Sequence, residues 1–407
     1  MKEAKSILTS FANQIPETAI GPERMAFIAR NIPKLTEQHK LALHKMVNHI
    51  LSVMLDRNAS DIEIGGPGSD NHIWFRTFGK KERVIDLPNL TVDEAGVLIF
   101  SLLNENQTKL LLKNRNLDFS YSIKYEKESR DVRFRSDVYF DLDSVTLNMR
   151  AISADVRPIE SLEFHPTAVK AMSHNYIKFG LSLITGITGS GKSSTLDSII
   201  DYHNKFDPCH IVIIAAPVEF VHKSNVSIIK HREVGRDVHS FKEGVIQALR
   251  QDPDIIMIGE MRDPETILAA LEVTDTGHKV FSTLHTSSAV ESIDRIIAEV
   301  NPIEQDRVRN RLADVLVSVV SQKLIPSLDG KRILAKEVLV VTPSVKAAIK
   351  NNNTSEIYMM INQGSAQGMV TMEQDLIRLF QQRKISRDNA IAYANNKTRI
   401  MQLLKGA

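Results

Sequence analysis

The chain has 407 residues, 51 Lys+Arg against 49 Asp+Glu, 43% hydrophobic and 25% charged residues, and one cysteine. That length predicts two or three domains, and the composition excludes disordered and fibrous classes. A net charge of +2 argues against a protein that coats nucleic acid or an anionic membrane.

Cys209 alone closes neither an internal disulfide nor a four-cysteine zinc site, and it reads as a small core residue beside a strand. Residues Met1 to Arg30 lack a basic head followed by an apolar run, and no apolar stretch reaches about 18 residues. No secretory signal or membrane span is predicted, so a cytoplasmic protein is expected, with any membrane association made through partners.

In chain order, the first elements are helical. Leu41, Leu43, Met46, Val47, Ile50, Leu51, Val53 and Met54 recur at helical spacing. Residues Ala59 to Ile64 then alternate like a strand, and Gly65, Gly66, Pro67 and Gly68 form a turn cluster. Ile73 to Arg76 reads as the next strand, with a break at Gly79. Thr91 and Glu94 fit a capping box opening one or two helices through Leu112. Asp131–Tyr139 and Ser144–Arg150 are strand-like. This half is a mixed α+β domain.

Arg157, Pro158, Ile159 and Glu160 read as an interdomain linker, because proline restricts its own and its neighbour's dihedrals. Beyond it, the apolar runs Leu181–Thr185, Ile211–Ala215, Ile255–Ile258 and Val280–Thr283 alternate with helical patterns. That rhythm predicts strand–helix–strand units around a mostly parallel sheet. After Pro343 the pattern is helical.

The strongest chemical signal is Gly186, Ile187, Thr188, Gly189, Ser190, Gly191, Lys192 and Ser193, followed by Ser194. It matches G-x-x-x-x-G-K-[ST] between a predicted strand and a predicted helix. Such glycines let backbone N–H groups and a helix N-terminus wrap a phosphate chain. Lys192 is expected on the β/γ-phosphates of ATP, and the Ser193 hydroxyl on Mg²⁺.

Four apolar residues, Ile255 to Ile258, lead to Gly259 and Glu260, so Glu260 is the acid available for the Mg²⁺ shell or the attacking water. His278 and His285 flank the next strand. They read either as core histidines or as sensors of the γ-phosphate, and they lack the neighbours of a zinc pair. Arg133, Arg135 and Arg150 lie on predicted strands, and alternation puts Arg133 and Arg135 on one face. By themselves they read as a solvated face, or as nucleotide contacts if another subunit brings a nucleotide to them.

These motifs, in this order, resemble the hexameric ATPases of type IV pili and type II/IV secretion, nearest to the PilT-like retraction (twitching motility) branch. The resemblance runs from about Ala59 to about Ala394. It implies an α/β chain: a PAS-like α+β N-terminal domain, a RecA-like P-loop NTPase domain and a C-terminal helical subdomain. The expected limits are 1–58 for an N-terminal extension, 59–156, a linker at 157–163, 164–342 and 343–407. The resemblance implies that Glu219 polarises the attacking water and that Glu260 is the Walker B acid. His278 and His285 fall in its His box, and Arg133, Arg135 and Arg150 match arginines that reach nucleotide. It also implies a homo-hexamer using ATP and Mg²⁺, docked on an inner-membrane platform protein, with no direct nucleic-acid contact.

There are departures from the family pattern. Ala215 and Ala216 stand where it carries an acidic pair, and Ser344 to Lys350 keeps only the spacing of the retraction branch's C-terminal motif. The resemblance as a whole implies an ATP-driven pilus-retraction motor. The alternatives are an ATPase of Dot/Icm-like or conjugative secretion, or an ATP-binding regulatory partner that hydrolyses poorly. A helicase-like ATPase is disfavoured by the charge balance.

Overall fold

A computed structural model of the chain describes residues 1–77, 80–152 and 156–405. The break expected at Gly79 lies outside the described residues. Two units separate: the first takes in the chain up to residue 152 with residues 216–220 and 235–237, and the second holds the rest.

The first unit opens with α1 (Lys2–Ala12), α2 (Pro22–Asn31) and α3 (Glu37–Asp56). These lead into β1 (Ala59–Gly65), β2 (Trp74–Thr77) and β3 (Lys80–Arg83). Then come α4 (Val92–Ser101), α5 (Glu105–Asn114), β4 (Asn116–Tyr125), β5 (Arg130–Asp141) and β6 (Ser144–Ala151). The strands form one antiparallel sheet in the order β3-β2-β1-β6-β5-β4.

Thr91 and Glu94 make the full capping box that starts α4. Residues 1–58, read from sequence as an extension, share the core of this sheet: Leu8, Phe11, Met25, Ile28 and Met46 are buried in one cluster with Ile62, Phe100 and Phe134. Polar ties add to that packing. Lys5 Nζ and Thr9 Oγ1 both donate to the buried Glu94 carboxylate at 2.6 Å, and Arg24 grips both oxygens of Asp93.

The second unit begins with a short turn of 3-10 helix at Ile159–Leu162, within the stretch read as a linker. It continues with α6 (Pro166–Met172), β7 (Gly180–Thr185), α7 (Lys192–Phe206), β8 (His210–Ala215) and β9 (Ile228–Glu233). Next are α8 (Phe241–Ala248), β10 (Ile255–Ile258), α9 (Pro264–Asp275), β11 (Lys279–Leu284), α10 (Ala289–Ala298) and α11 (Gln305–Val315). The hairpin β12 (Leu316–Pro326) and β13 (Arg332–Val340) follows. Five helices end the chain: α12 (Pro343–Lys350), α13 (Ile357–Gln363), α14 (Met372–Gln381), α15 (Arg387–Tyr393) and α16 (Lys397–Leu403).

The sheet order is β13-β12-β7-β11-β10-β8-β9, parallel except for β13. The four apolar runs of the sequence are β7, β8, β10 and β11, all fully or almost fully buried. This is the signature of strands covered on both faces. β12 escaped the sequence reading because helix α11 runs into it at Val315–Leu316 with no glycine or proline between. Among the described residues no helix is long and apolar enough to cross a membrane.

Candidate nucleotide-binding site

The sheet order brings the key loops to one edge. β11 lies between β7 and β10 and runs parallel to both. The segments that leave their carboxyl ends, Gly186–Gly191, Gly259–Asp263 and His285–Ser288, therefore emerge side by side, in the crevice where open α/β sheets bind ligands.

The P-loop conformation depends on its glycines. Gly186 has φ +149, and a Cβ there would sit 2.4 Å from Ser190 Oγ and 2.5 Å from Gln322 O. Gly191, also at positive φ, starts α7, so the loop feeds directly into a helix N-terminus. Ile187, Thr188, Gly189, Ser193 and Ser194 are exposed, whereas Ser190 and Lys192 are buried.

The Lys192 ammonium lies back on its own loop. It donates to Gly186 O at 2.8 Å and Ile187 O at 3.2 Å, with His285 Nδ1 3.5 Å away. Burial pushes Lys192 below the ordinary lysine range, and the Glu260 carboxylate partly restores it. Two buried polar atoms here, Ser190 Oγ and Gln322 Oε1, have no hydrogen-bond partner.

Glu260 pairs with Arg262 Nε at 2.7 Å and lies 3.7 Å from His285 Nε2. Its turn is pinned by Thr283 Oγ1, which donates to Gly259 O at 2.7 Å, and by Met261 N–H donating to Thr283 O at 3.1 Å. A Cβ on Gly259 would lie 3.3 Å from Ala215 Cα, so a methyl faces this turn from β8. His285 is held below the usual histidine range, first by burial and then by the Lys192 charge.

His278 stands apart. It precedes β11, whose first residue pairs with Gly180 at the start of β7, and it contacts Thr276 Oγ1 at 3.0 Å and Val273 O at 3.3 Å. A strand of six residues separates it from His285, which is about 20 Å of extended chain. Within one chain it does not share the phosphate site.

The three arginines lie together in the first unit. Arg135 pairs with Arg150 across β5 and β6, and Arg133 is two residues along the same face. Each is already engaged. Arg150 Nε meets Asp61 at 2.7 Å, and Arg133 Nη2 donates to Ser120 Oγ at 2.6 Å and Val218 O at 2.9 Å. Arg135 Nη1 lies 3.4 Å from Glu219 Oε1. Glu219 thus pairs with Arg135 and the preceding Val218 carbonyl takes Arg133, while Glu260 belongs to the P-loop edge.

Sequence reasoning missed Asp61 and Gln322. Gln322 Nε2 donates to Ser190 O at 2.8 Å and braces the P-loop from β12. No local pattern marks it, since a lone Gln on an unpredicted strand carries no signal. In sequence Asp61 reads only as part of a strand, and its pairing with Arg150 follows from the β1–β6 register.

A glycine cradle, a lysine at the head of a helix and a strand-end acid define a P-loop ATPase with a RecA-like core. Residues 36–402 match the family described as "Type II/IV secretion system protein", and the chain belongs to that family. It is 38% identical over 344 residues to the type IV pilus retractation ATPase PilT of Pseudomonas aeruginosa, covering 84% of this chain and 96% of that one. The crystal structure of the pilus retraction motor PilT with bound ADP superposes with a TM-score of 0.77 at 33% identity, covering 88% of this chain and 99% of that chain. The Legionella pneumophila ATPase DotB gives 0.71 at 26% identity, covering 97% and 99%.

Proposed function

We propose that the protein is a hexameric ATP-driven motor that powers retraction of a type IV pilus from the cytoplasmic face of the membrane, docked on an inner-membrane platform protein. The observation that carries this reading is the match to a retraction ATPase over 96% of that relative's length, joined to an intact phosphate cradle. The protein's N-terminal domain takes in the helices of residues 1–58 together with 59–156, and a linker at 157–163, a RecA-like core at 164–342 and a helical subdomain at 343–407 follow.

The residues fit a magnesium nucleotide. The loop is open at Gly189, where nothing lies within 4 Å of the place a Cβ would take, and Ser190 Oγ and Gln322 Oε1 are orphaned in the same loop and its brace. Ser193 and Glu260 are the groups to hold Mg²⁺, which when bound neutralises phosphate charge. Lys192 exchanges its two loop carbonyls for phosphate oxygens, a charge-assisted contact stronger than the ones it leaves. Glu219 orients the water as general base, and Glu260 supports the metal shell. Arg133, Arg135 and Arg150 supply positive charge to a nucleotide held by a neighbouring subunit of the ring. Arginines in that role contribute about 10³–10⁵ in rate.

Steady-state hydrolysis measured against protein concentration, with particle mass on the same samples, tests the reading. Turnover that appears with hexamers, and that Lys192→Ala abolishes, is the expected result. Normal turnover in Lys192→Ala would remove the P-loop from the mechanism. Hexamers that bind but do not hydrolyse ATP would favour a regulatory partner, the role that Ala215 and Ala216 suggest.

A second reading, an ATPase of Dot/Icm-like secretion, is favoured by one observation: the likeness to DotB takes in 97% of this chain against 88% for PilT. Loss of twitching, rather than of effector export, on deletion of the gene separates the two.

A further inference from the structure

The last helices reach back to the phosphate edge of their own unit. Asn395, in the turn between α15 and α16, donates from Nδ2 to Ser287 O at 3.1 Å and accepts at Oδ1 from Lys323 Nζ at 2.6 Å. Lys323 also donates to Tyr393 O at 2.7 Å, so it fixes both the end of α15 and the asparagine beyond it. The neighbouring Asn396 N–H donates to Glu373 Oε1 at 2.7 Å, and Glu373 is fully buried on α14. The turn is thus anchored on both sides.

What it holds is the loop His285–Ser288. The far end of that loop is tied as well, because Ala289 N–H donates to the buried Glu337 carboxylate of β13 at 2.8 Å. His285, two residues before Ser287, is the side chain that stands between Lys192 and Glu260. On β12, Lys323 follows Gln322, and alternation sends the two side chains to opposite faces. Gln322 braces Ser190 O of the P-loop while Lys323 seats the C-terminal turn.

We infer that Asn395, seated by Lys323, is a positioning residue for hydrolysis: it keeps the loop carrying His285 against the phosphate site and links the C-terminal helices to turnover. The inference rests on the reading that this site hydrolyses ATP. Asn395 touches neither substrate nor reacting atoms. It acts through the backbone of Ser287, so its loss changes how often His285 is in place rather than whether nucleotide binds.

Three single variants of the full chain and one double variant test this. Asn395→Asp keeps an acceptor for Lys323 but loses the donor to Ser287 O. Asn395→Ala loses both, and Lys323→Met loses only the seat. The expected result for Asn395→Asp is a kcat lowered about tenfold, the equivalent of one hydrogen bond, with KM and the affinity for a fluorescent ATP analogue within about twofold. Lys323→Met should fall less, and the double variant Asn395→Ala/Lys323→Met no further than Asn395→Ala.

Amide exchange gives a readout independent of catalysis. Protection of the peptide spanning His285–Ala289 should drop in Asn395→Asp, while α7 stays protected. Unchanged exchange there, or wild-type kcat in Asn395→Asp, would overturn the strut. Absence of hydrolysis in the wild-type chain, with the exchange change still seen, would instead count against the ATPase reading and leave the strut standing.

Discussion

Gly186 shows how one residue's backbone decides a site. Its φ of +149 already disfavours any side chain, and its Cβ position is occupied by Ser190 Oγ at 2.4 Å and Gln322 O at 2.5 Å. Gly189 also has positive φ, +79, but nothing lies within 4 Å of the position its Cβ would take. Gly186→Ala should therefore weaken nucleotide binding by more than about tenfold, since the loop must shift to admit the methyl. Gly189→Ala should cost only the backbone strain, about 1 kcal/mol. Titration with a fluorescent ATP analogue checks both, and equal affinities in the two variants would contradict the account. The P-loop was legible residue by residue because a phosphate cradle is a local structure: eight consecutive positions contain it. The partners that brace it are not local. Gln322 is 132 positions from Ser190, and nothing near Ser190 in sequence announces it.

At the scale of elements, the N-terminal helices are the clearest case of packing overriding position in the chain. α1 and α2 bury Leu8, Phe11, Met25 and Ile28 in the core of the first sheet. They are also tied to the start of α4 through Glu94 and Asp93. Burial alone would raise the Glu94 pKa, but Lys5, Thr9 and the Thr91 N–H together hold it below the ordinary value of 4.5. A depressed carboxyl contributes stability that is present above the unfolded value and is lost as pH falls through the folded one. Glu94→Gln should destabilise the protein by about 1–3 kcal/mol at pH 7, with the gap to wild type closing below about pH 4.5. Thermal melts of both proteins at pH 7 and pH 4 measure it, and a gap independent of pH would mean the charge is idle. The capping box on α4 was readable because its two residues are three apart. Lys5 and Thr9 were not, because their partner lies 85 or more positions away.

Across the whole molecule, two buried ionisable groups set a pH dependence that no single motif would suggest. Lys279 is fully buried at the start of β11, donating to Ala171 O at 3.2 Å and Ile177 O at 3.0 Å, and burial pushes its pKa down to about 7. Between pH 7 and the ordinary 10.5 the unfolded chain holds a proton that the folded chain has released, so stability from this group rises with pH across that window. Glu337 is pushed the other way by burial, up to about 7. Between 4.5 and 7 the folded chain holds the extra proton, so this group's contribution falls as pH rises. Together they place a trough near neutral pH. Lys279→Met should flatten the rise in melting temperature between pH 7 and pH 9, and an unchanged slope would assign the trough elsewhere.

The sequence by itself determined the chemistry and most of the second sheet. A phosphate loop is local, and strands covered on both faces must be continuous apolar runs, so β7, β8, β10 and β11 are legible as such. It also placed Arg133 and Arg135 on one face, since strand alternation has a fixed period. Tertiary structure alone decided which of the two histidines meets the P-loop, because that depends on β11 lying between β7 and β10. It also decided that Arg150 answers to Asp61, that the first helices belong to a core, and that the last helices hold the loop after β11. Each of these is a contact between residues far apart in the chain, set by sheet order and buried area, neither of which is a property of any short stretch of sequence.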